Sequence, residues 1–200
     1  MSPISLALSS IHFSTSSIAV ESAMGLKEAL LELIGHEECF LTENRIEENG
    51  KVFSLRRIND EEIVGIRADN CLLTPQAGLA CDAIFFIHSP SENRLVIVLV
   101  ELKGEDVGHA IKQIMAVRDY LAGKVGCNSN RRHGSALLTA MDSPAGLNHG
   151  TTLLGVVVSD RNFRQIQQEK AKALKRGVRL TKSSHTKGID CGQLFAWQSA

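Results

Sequence analysis

Apolar residues recur along the chain with two different periods, and the period separates helices from strands. Leu and Ile spaced three and four residues apart predict an amphipathic helix over residues 26–34, which Gly35 ends. The same spacing predicts a longer helix over residues 106–121 and a basic helix over residues 162–175. Alternating or continuous apolar residues predict strands between these helices.

Two apolar stretches give the strongest strand signals. They span residues 81–87 (CDAIFFI) and 95–102 (LVIVLVEL), and the turn-forming sequence HSPSEN lies between them. We therefore expect an antiparallel hairpin in which the numbers of facing residues add up to about 181 to 183. The second stretch is almost wholly apolar before Glu101, which is typical of a central strand covered on both faces.

Weaker patterns complete the predicted architecture. Residues 51–58 and 62–73, separated by turn-forming residues, predict a hairpin or two neighbouring strands, and residues 135–140 and 152–158 predict two more strands. Helices and strands in this order predict an α/β fold with a mixed central β-sheet flanked by helices. We expect residues 1–24, which are rich in Ser, to form a flexible or edge segment and residues 25–200 to form a single domain.

Composition narrows the class of protein. A chain of 200 residues, 44% of them hydrophobic, fits one globular domain. No apolar run reaches the roughly 20 residues of a membrane-spanning helix, and the lack of Lys or Arg before Lys27 argues against a secretory signal. Five cysteines, an odd number without a CxxC pair, argue against a disulfide framework and a zinc ribbon. We therefore expect a soluble protein of the reducing cytoplasm, without a membrane partner.

Charge is unevenly distributed although the formal net charge is zero. Residues 1–100 contain 7 Lys/Arg and 14 Asp/Glu, whereas residues 161–200 contain 9 and 2. The basic C-terminal segment is either a surface for phosphate backbones or a solvated helix face, and charge alone does not decide between them. Its candidate phosphate-binding residues are Arg161, Arg164, Lys170, Lys172, Lys175, Arg176 and Arg179.

Three charged residues stand at the ends of the two strongest predicted strands. Because side chains alternate along a strand, Glu101 and Lys103 share one face while Leu102 points to the other. The hairpin register places Asp82 opposite a residue near position 100. Two carboxylates about 4 Å apart repel by roughly 4 kcal/mol at an effective dielectric near 20, which favours a cation between them. A divalent metal would resolve the conflict, and Lys103 would orient or help deprotonate an attacking water.

These residues resemble the signature of the PD-(D/E)xK nuclease superfamily. Asp82, a strand, the sequence Glu101-Leu102-Lys103 and a following helix carry the resemblance, which covers residues 62–121. It implies a restriction-endonuclease-like core in which Asp82, Glu101 and the main-chain carbonyl of Leu102 bind Mg²⁺, or Mn²⁺ in its place. Lys103 would assist the water. Cys81 stands where many members carry Pro.

Further candidates lie on the predicted helices. Some exonuclease-type members carry a Gln in the helix after the signature, followed four positions later by Tyr, whereas here Tyr120 comes seven positions after Gln113. His109, Gln113 and Tyr120 lean toward the same side of the sheet, and Gln113 is the candidate for contact with the site or substrate. Glu28 and Glu32 on the first helix are either an additional source of acidic ligands or an exposed helix face.

The residues thus predict a Mg²⁺-dependent nuclease that hydrolyses phosphodiester bonds of nucleic acid, with DNA favoured over RNA. A first alternative is a nuclease-fold binding or regulatory module without turnover. A second is a thiol-dependent enzyme that uses Cys127 with His133. Because the chain is small, we expect specificity to come from a homodimer or a protein partner.

Overall fold

The computed structural model describes residues 25–73, 80–92, 94–102, 106–121, 152–159, 163–183 and 189–196. Within these ranges the chain forms an α/β fold with two mixed sheets flanked by helices, which confirms the predicted class. The predicted N-terminal segment and the strand predicted at 135–140 lie outside the described residues. So do Lys103, Cys127, His133 and Arg161.

Three of the helices match the predicted ones within a residue, and a fourth follows near the C-terminus. They are α1 (Leu26–Ile34), α2 (Val107–Leu121), α3 (Phe163–Lys175) and α4 (Cys191–Ala196). A 3₁₀ turn spans Glu37–Cys39. No helix in the described part of the chain is long and apolar enough to cross a membrane.

The strands divide into a larger and a smaller sheet. The larger sheet has the order β3-β4-β5-β6-β7, in which β3, β4 and β5 pair antiparallel and β5, β6 and β7 pair parallel. The smaller sheet has the order β1-β2-β8. The strands are β1 (Arg45–Glu48), β2 (Lys51–Arg56), β3 (Glu62–Arg67), β4 (Ala83–Ser89), β5 (Arg94–Leu102), β6 (Thr152–Val158), β7 (Val178–Ser183) and β8 (Ile189–Asp190).

The β4–β5 hairpin forms as its sequence predicts. Ala83 faces Val100 and Ile84 faces Leu99, so the facing residue numbers add up to 183, at the upper end of the expected range. Strand β5 is central in the larger sheet, and every residue after Arg94 in it is buried. The expectation of a central strand covered on both faces is confirmed.

The predicted hairpin over residues 51–73 is wrong in its pairing. Strand β2 pairs with β1 in the smaller sheet, whereas β3 pairs with β4 in the larger one. Asn49 and Gly50 make the turn between β1 and β2, with φ angles of 49° and 72°. Asn-Gly readily adopts positive φ at both positions and is a strong hairpin signal. This turn therefore pairs β2 with β1, the strand before it, whereas the periodicity alone indicated pairing with the strand after it.

The larger sheet is covered differently on its two faces. Helices α1, α2 and α3 pack on one face, here called the helical face, where Ile97 and Leu99 join buried residues such as Ile114 and Ile166. The smaller sheet and α4 cover the opposite face. Since residues alternate along β5, Glu101 follows Ile97 and Leu99 onto the helical face. Both layers shield the strand ends that carry the predicted site.

Helix α2 starts immediately after the predicted site. The Asp106 carboxylate accepts a hydrogen bond from the main-chain amide of His109 at 2.8 Å, which satisfies one of the unpaired amides of the first turn. The predicted apolar stripe from Val107 to Leu121 is buried, and Tyr120 is buried with it. Burial of this stripe against β5 and β6 places α2 over the helical face.

A disulfide contradicts the expectation drawn from the cysteine count. Cys39, which follows α1, is bonded to Cys71, which follows β3, across 32 positions of sequence. The bridge between Phe40 and Ile66 brings the two segments together. An odd number of cysteines excludes only complete pairing, so the count was a poor guide. Disulfides persist mainly in oxidising compartments, so the cysteines no longer support a reducing cytoplasm.

Gly155 in β6 allows α2 to approach the sheet closely. A Cβ atom there would lie 2.7 Å from Cδ2 of Leu180 and 2.9 Å from Cγ2 of Ile114. We expect Gly155→Ala to lower the free energy of unfolding by about 1–3 kcal/mol, because such overpacking displaces buried side chains. Urea denaturation measures the change. Gly192→Ala in α4 is the control, since among the described residues its Cβ would contact the end of the Ile58 side chain, at 3.2 Å. Equal stability of the two variants would contradict this account.

Candidate metal centre

Two buried carboxyl groups face each other where β4 begins and β5 ends. Asp82 directly precedes β4, whose first residue Ala83 pairs with Val100, the residue before Glu101. Glu101 lies on the helical face, and it is near enough to Asp82 for its charge to raise the pKa of that carboxyl group. Asp82 is 8% exposed and Glu101 is 1% exposed. The structure therefore brings this predicted pair together.

Hydrogen bonds hold Asp82 at the end of the strand. Its Oδ2 atom accepts a hydrogen bond from the main-chain amide of Leu102 at 2.5 Å. Its main-chain carbonyl accepts a hydrogen bond from the amide of Ala68 at 3.0 Å. The carboxylate thus replaces a strand carbonyl as the acceptor for β5, while the backbone still pairs with the segment after β3. This double attachment fixes the carboxyl group beside the peptide that joins Glu101 to Leu102.

The surroundings of Asp82 disfavour its charged form. Burial and the neighbouring Glu101 raise the pKa of Asp82 to about 8, although the Leu102 amide acts in the opposite direction. Burial, Glu101 and Asp82 also raise the pKa of the Cys81 thiol. Without a cation, the Asp82 carboxyl group therefore keeps its proton at neutral pH, and a divalent metal would compete with that proton.

Glu48 is a third carboxyl group at this position, and sequence reasoning missed it. It is the last residue of β1, and its side chain shares a hydrogen bond with Asp82 that also raises the pKa of Asp82. Glu48 is exposed, in contrast to the buried pair. The Asn49-Gly50 turn signal places Glu48 at the end of a hairpin. Only the packing of the smaller sheet against the larger one brings that hairpin to Asp82.

Gln113 contacts the chain that leads into the pair rather than the pair itself. Its Nε2 atom donates a hydrogen bond to the main-chain carbonyl of Ala80 at 2.7 Å. Its Oε1 atom is buried and accepts no hydrogen bond from the described residues. The contact ties α2 to the segment two residues before Asp82. Gln113 therefore supports the position of Asp82, and His109, on the same helix, is half-buried.

The other predicted residues occupy varied surroundings. Glu28 and Glu32 are exposed on α1, which agrees with the alternative that they form an exposed helix face. Leu102 is buried. In the basic segment, Lys172 forms an ion pair with Glu169 at 2.8 Å and Arg176 forms one with Asp119. Among the described residues of this segment, Arg164, Lys172, Lys175 and Arg176 are exposed, while Lys170 and Arg179 are half-buried.

The donors at the strand ends suit a small, hard cation. Mg²⁺ is usually bound through one or two carboxylates and keeps several waters, and main-chain carbonyls can add to such a set. Among the described residues, no group of three or more His, Cys, Asp or Glu side chains is arranged to hold a metal ion. A metal here would therefore depend on Asp82, Glu101, main-chain oxygen and water. Comparison with family models, with curated proteins and with solved structures gives no match.

Proposed function

We propose that the protein is a metal-dependent nuclease of the PD-(D/E)xK type, built on a restriction-endonuclease-like core. The observation that carries the proposal is the buried Asp82 close to Glu101 at adjacent strand ends, with Asp82 held by the Leu102 amide. Burial of two facing carboxyl groups is costly unless a proton or a cation separates them. Such costly arrangements concentrate at functional sites.

Each residue of the proposed site has a separate task. Asp82 and Glu101 would hold Mg²⁺, together with the carbonyl of Leu102. When bound, the ion would polarise a phosphoryl oxygen and lower the pKa of a water molecule. Lys103, which follows Glu101 by two positions in the sequence, would orient the water. Gln113 would position the segment before Asp82 through the Ala80 carbonyl.

The proposed reaction is hydrolysis of a phosphodiester bond. The water oxygen forms a bond to phosphorus, the bond from phosphorus to the leaving oxygen breaks, and that oxygen takes up a proton. Lys103 would receive or guide the proton lost by the water and offset charge on the phosphate. No redox partner is required, since the reaction consumes only water.

Nucleic acid, with DNA favoured over RNA, is the proposed substrate. The exposed cations Arg164 and Lys175 of α3 are available to phosphate groups through charge and hydrogen bonds. The acidic groups around Asp82 would repel the same phosphates unless a metal neutralises them. A homodimer or a protein partner would supply sequence or structure specificity.

A binding or regulatory module is the second candidate function, and the hydrogen bond between Glu48 and Asp82 favours it. A shared proton can satisfy the carboxyl groups in place of a metal ion. This module would bind nucleic acid or protein without cleaving phosphodiester bonds. Metal-dependent turnover therefore separates the two candidates.

Cleavage assays test the proposed function directly. Single- and double-stranded DNA and RNA are incubated with Mg²⁺ or Mn²⁺, and the wild type is compared with Asp82→Ala and Lys103→Ala. We expect wild-type cleavage that a chelator stops, and a loss of about 10³-fold or more in each variant, since several kcal/mol of transition-state stabilisation would be removed. The controls are Glu32→Ala and Lys27→Ala, which alter exposed charges on α1. Undiminished activity in both site variants would refute the assignment.

A further inference from the structure

A lysine lies in the same row of the larger sheet as Glu101 of the carboxyl pair. The register pairs Glu101 with Val157 of β6, and Val157 with Lys182 of β7. Asp82, directly before β4, lies close to Glu101. The row therefore runs from Glu101 through Val157 to Lys182, across three neighbouring strands.

Lys182 is placed on the helical face, as Glu101 is. Val178 and Leu180 of β7 are buried in the core beneath the helices, and alternation gives Lys182 the same side. Val157, between Glu101 and Lys182, belongs to the same core. Lys182 itself is half-buried. No residue between Glu101 and Lys182 in the row adds another charge.

The spacing of the strands sets the distance between the two charged positions. Neighbouring strands lie about 4.8 Å apart, so the main chains at Glu101 and Lys182 are separated by about 10 Å. The main-chain amide of Ser159 donates to the carbonyl of Ser183 at 3.4 Å, which joins β6 and β7 just beyond this row. A lysine ammonium on its flexible four-carbon stem would thus stand beside the proposed metal site rather than in its coordination sphere.

We propose that Lys182 binds a phosphate group of the DNA strand, adjacent to the phosphate that is cut. The inference rests on the proposed nuclease function and adds a substrate-binding residue to it. A polynucleotide presents a row of phosphates, so a cation displaced along the sheet from the metal meets a neighbouring phosphate. Sequence reasoning left Lys182 out of the basic surface, because that surface ended at Arg179.

Cleavage kinetics of a labelled DNA duplex with Mg²⁺ test this role. We expect Lys182→Met to raise KM by about tenfold, the size of one lost charge-assisted contact, with kcat changed by less than about twofold. Lys182→Arg should restore most of the affinity, since it keeps the charge. DNA binding is also measured at several salt concentrations, with Ca²⁺ in place of Mg²⁺. For Lys182→Met, the slope of the logarithm of the binding constant against the logarithm of the salt concentration should be smaller by about one than for the wild type. Lys27→Met is the control for loss of an exposed charge remote in sequence from β7.

A duplex carrying one uncharged methylphosphonate locates the contact. Placed next to the cut phosphate, the substitution should raise KM for the wild type and change it little for Lys182→Met. Equal effects in both proteins, or a variant indistinguishable from Lys27→Met, would overturn the inference while leaving the nuclease intact. A fall in kcat with unchanged KM would also overturn it. A wild type that cleaves no nucleic acid with any metal would overturn the proposed function and this inference together.

Discussion

Replacing Glu101 by Gln is expected to abolish metal-dependent cleavage and, at the same time, to stabilise the metal-free protein. The substitution keeps the shape of a side chain that is 1% exposed but removes its charge. Loss of a metal ligand should lower kcat/KM by about 10³-fold or more, equivalent to several kcal/mol of transition-state stabilisation. Because the Glu101 charge raises the pKa of Asp82, its removal should lower the free-energy cost of keeping Asp82 protonated and raise the free energy of unfolding by about 1–3 kcal/mol. Stability and function would thus be in opposition at this residue.

Thermal unfolding with and without Mn²⁺ measures the second effect, and the cleavage assay measures the first. Wild type should gain stability on adding Mn²⁺ because the ion binds only the folded state, whereas Glu101→Gln should gain little. Glu32→Gln is the matched control, since it removes a carboxylate exposed on α1. A Glu101→Gln protein that is less stable without metal and cleaves normally would show that Glu101 is a structural residue only.

Metal binding should weaken by about tenfold for each pH unit below about 8, because the ion must displace one proton from Asp82. Burial and Glu101 raise the pKa of Asp82 to about 8 in the folded protein. The apparent dissociation constant for Mn²⁺ should therefore rise by about fiftyfold between pH 8, where Asp82 is about half protonated, and pH 6. Calorimetric titration at several pH values measures it, and proton release into buffers of different ionisation enthalpy counts the displaced proton.

The same shift predicts how the metal-free protein responds to pH. The folded-state pKa of Asp82 lies above the value of about 3.9 that an unfolded chain has. Its contribution to stability is therefore complete below that unfolded value and is lost as the pH rises through about 8. Asp82→Asn should remove this fall in stability. The measurement compares the unfolding midpoints of wild type and variant at pH 5, 6.5 and 8. A difference between the midpoints that stays constant across this range, or a Mn²⁺ affinity independent of pH, would show that Asp82 is not protonated in the metal-free protein.

Local periodicity determined much of the fold. The stripe of α2 and the apolar run of β5 were both correctly predicted, since each element must bury its own apolar face wherever it packs. The hairpin between β4 and β5 follows from two adjacent strands joined by a short turn, and its register brought Asp82 to Glu101. Neighbours in sequence were therefore predicted well, including the pair on which the proposed site depends.

Contacts between segments distant in sequence were decided only by the tertiary structure. Glu48 reaches Asp82 because one sheet packs on another, and Cys39 meets Cys71 because the Phe40–Ile66 bridge joins their segments. Lys182 enters the row of Glu101 through two parallel pairings, whose partners no turn connects. Parallel pairing and sheet stacking depend on the summed burial of the whole core rather than on a local pattern. The sequence by itself therefore determined the carboxyl pair, and the tertiary structure determined which charges surround it.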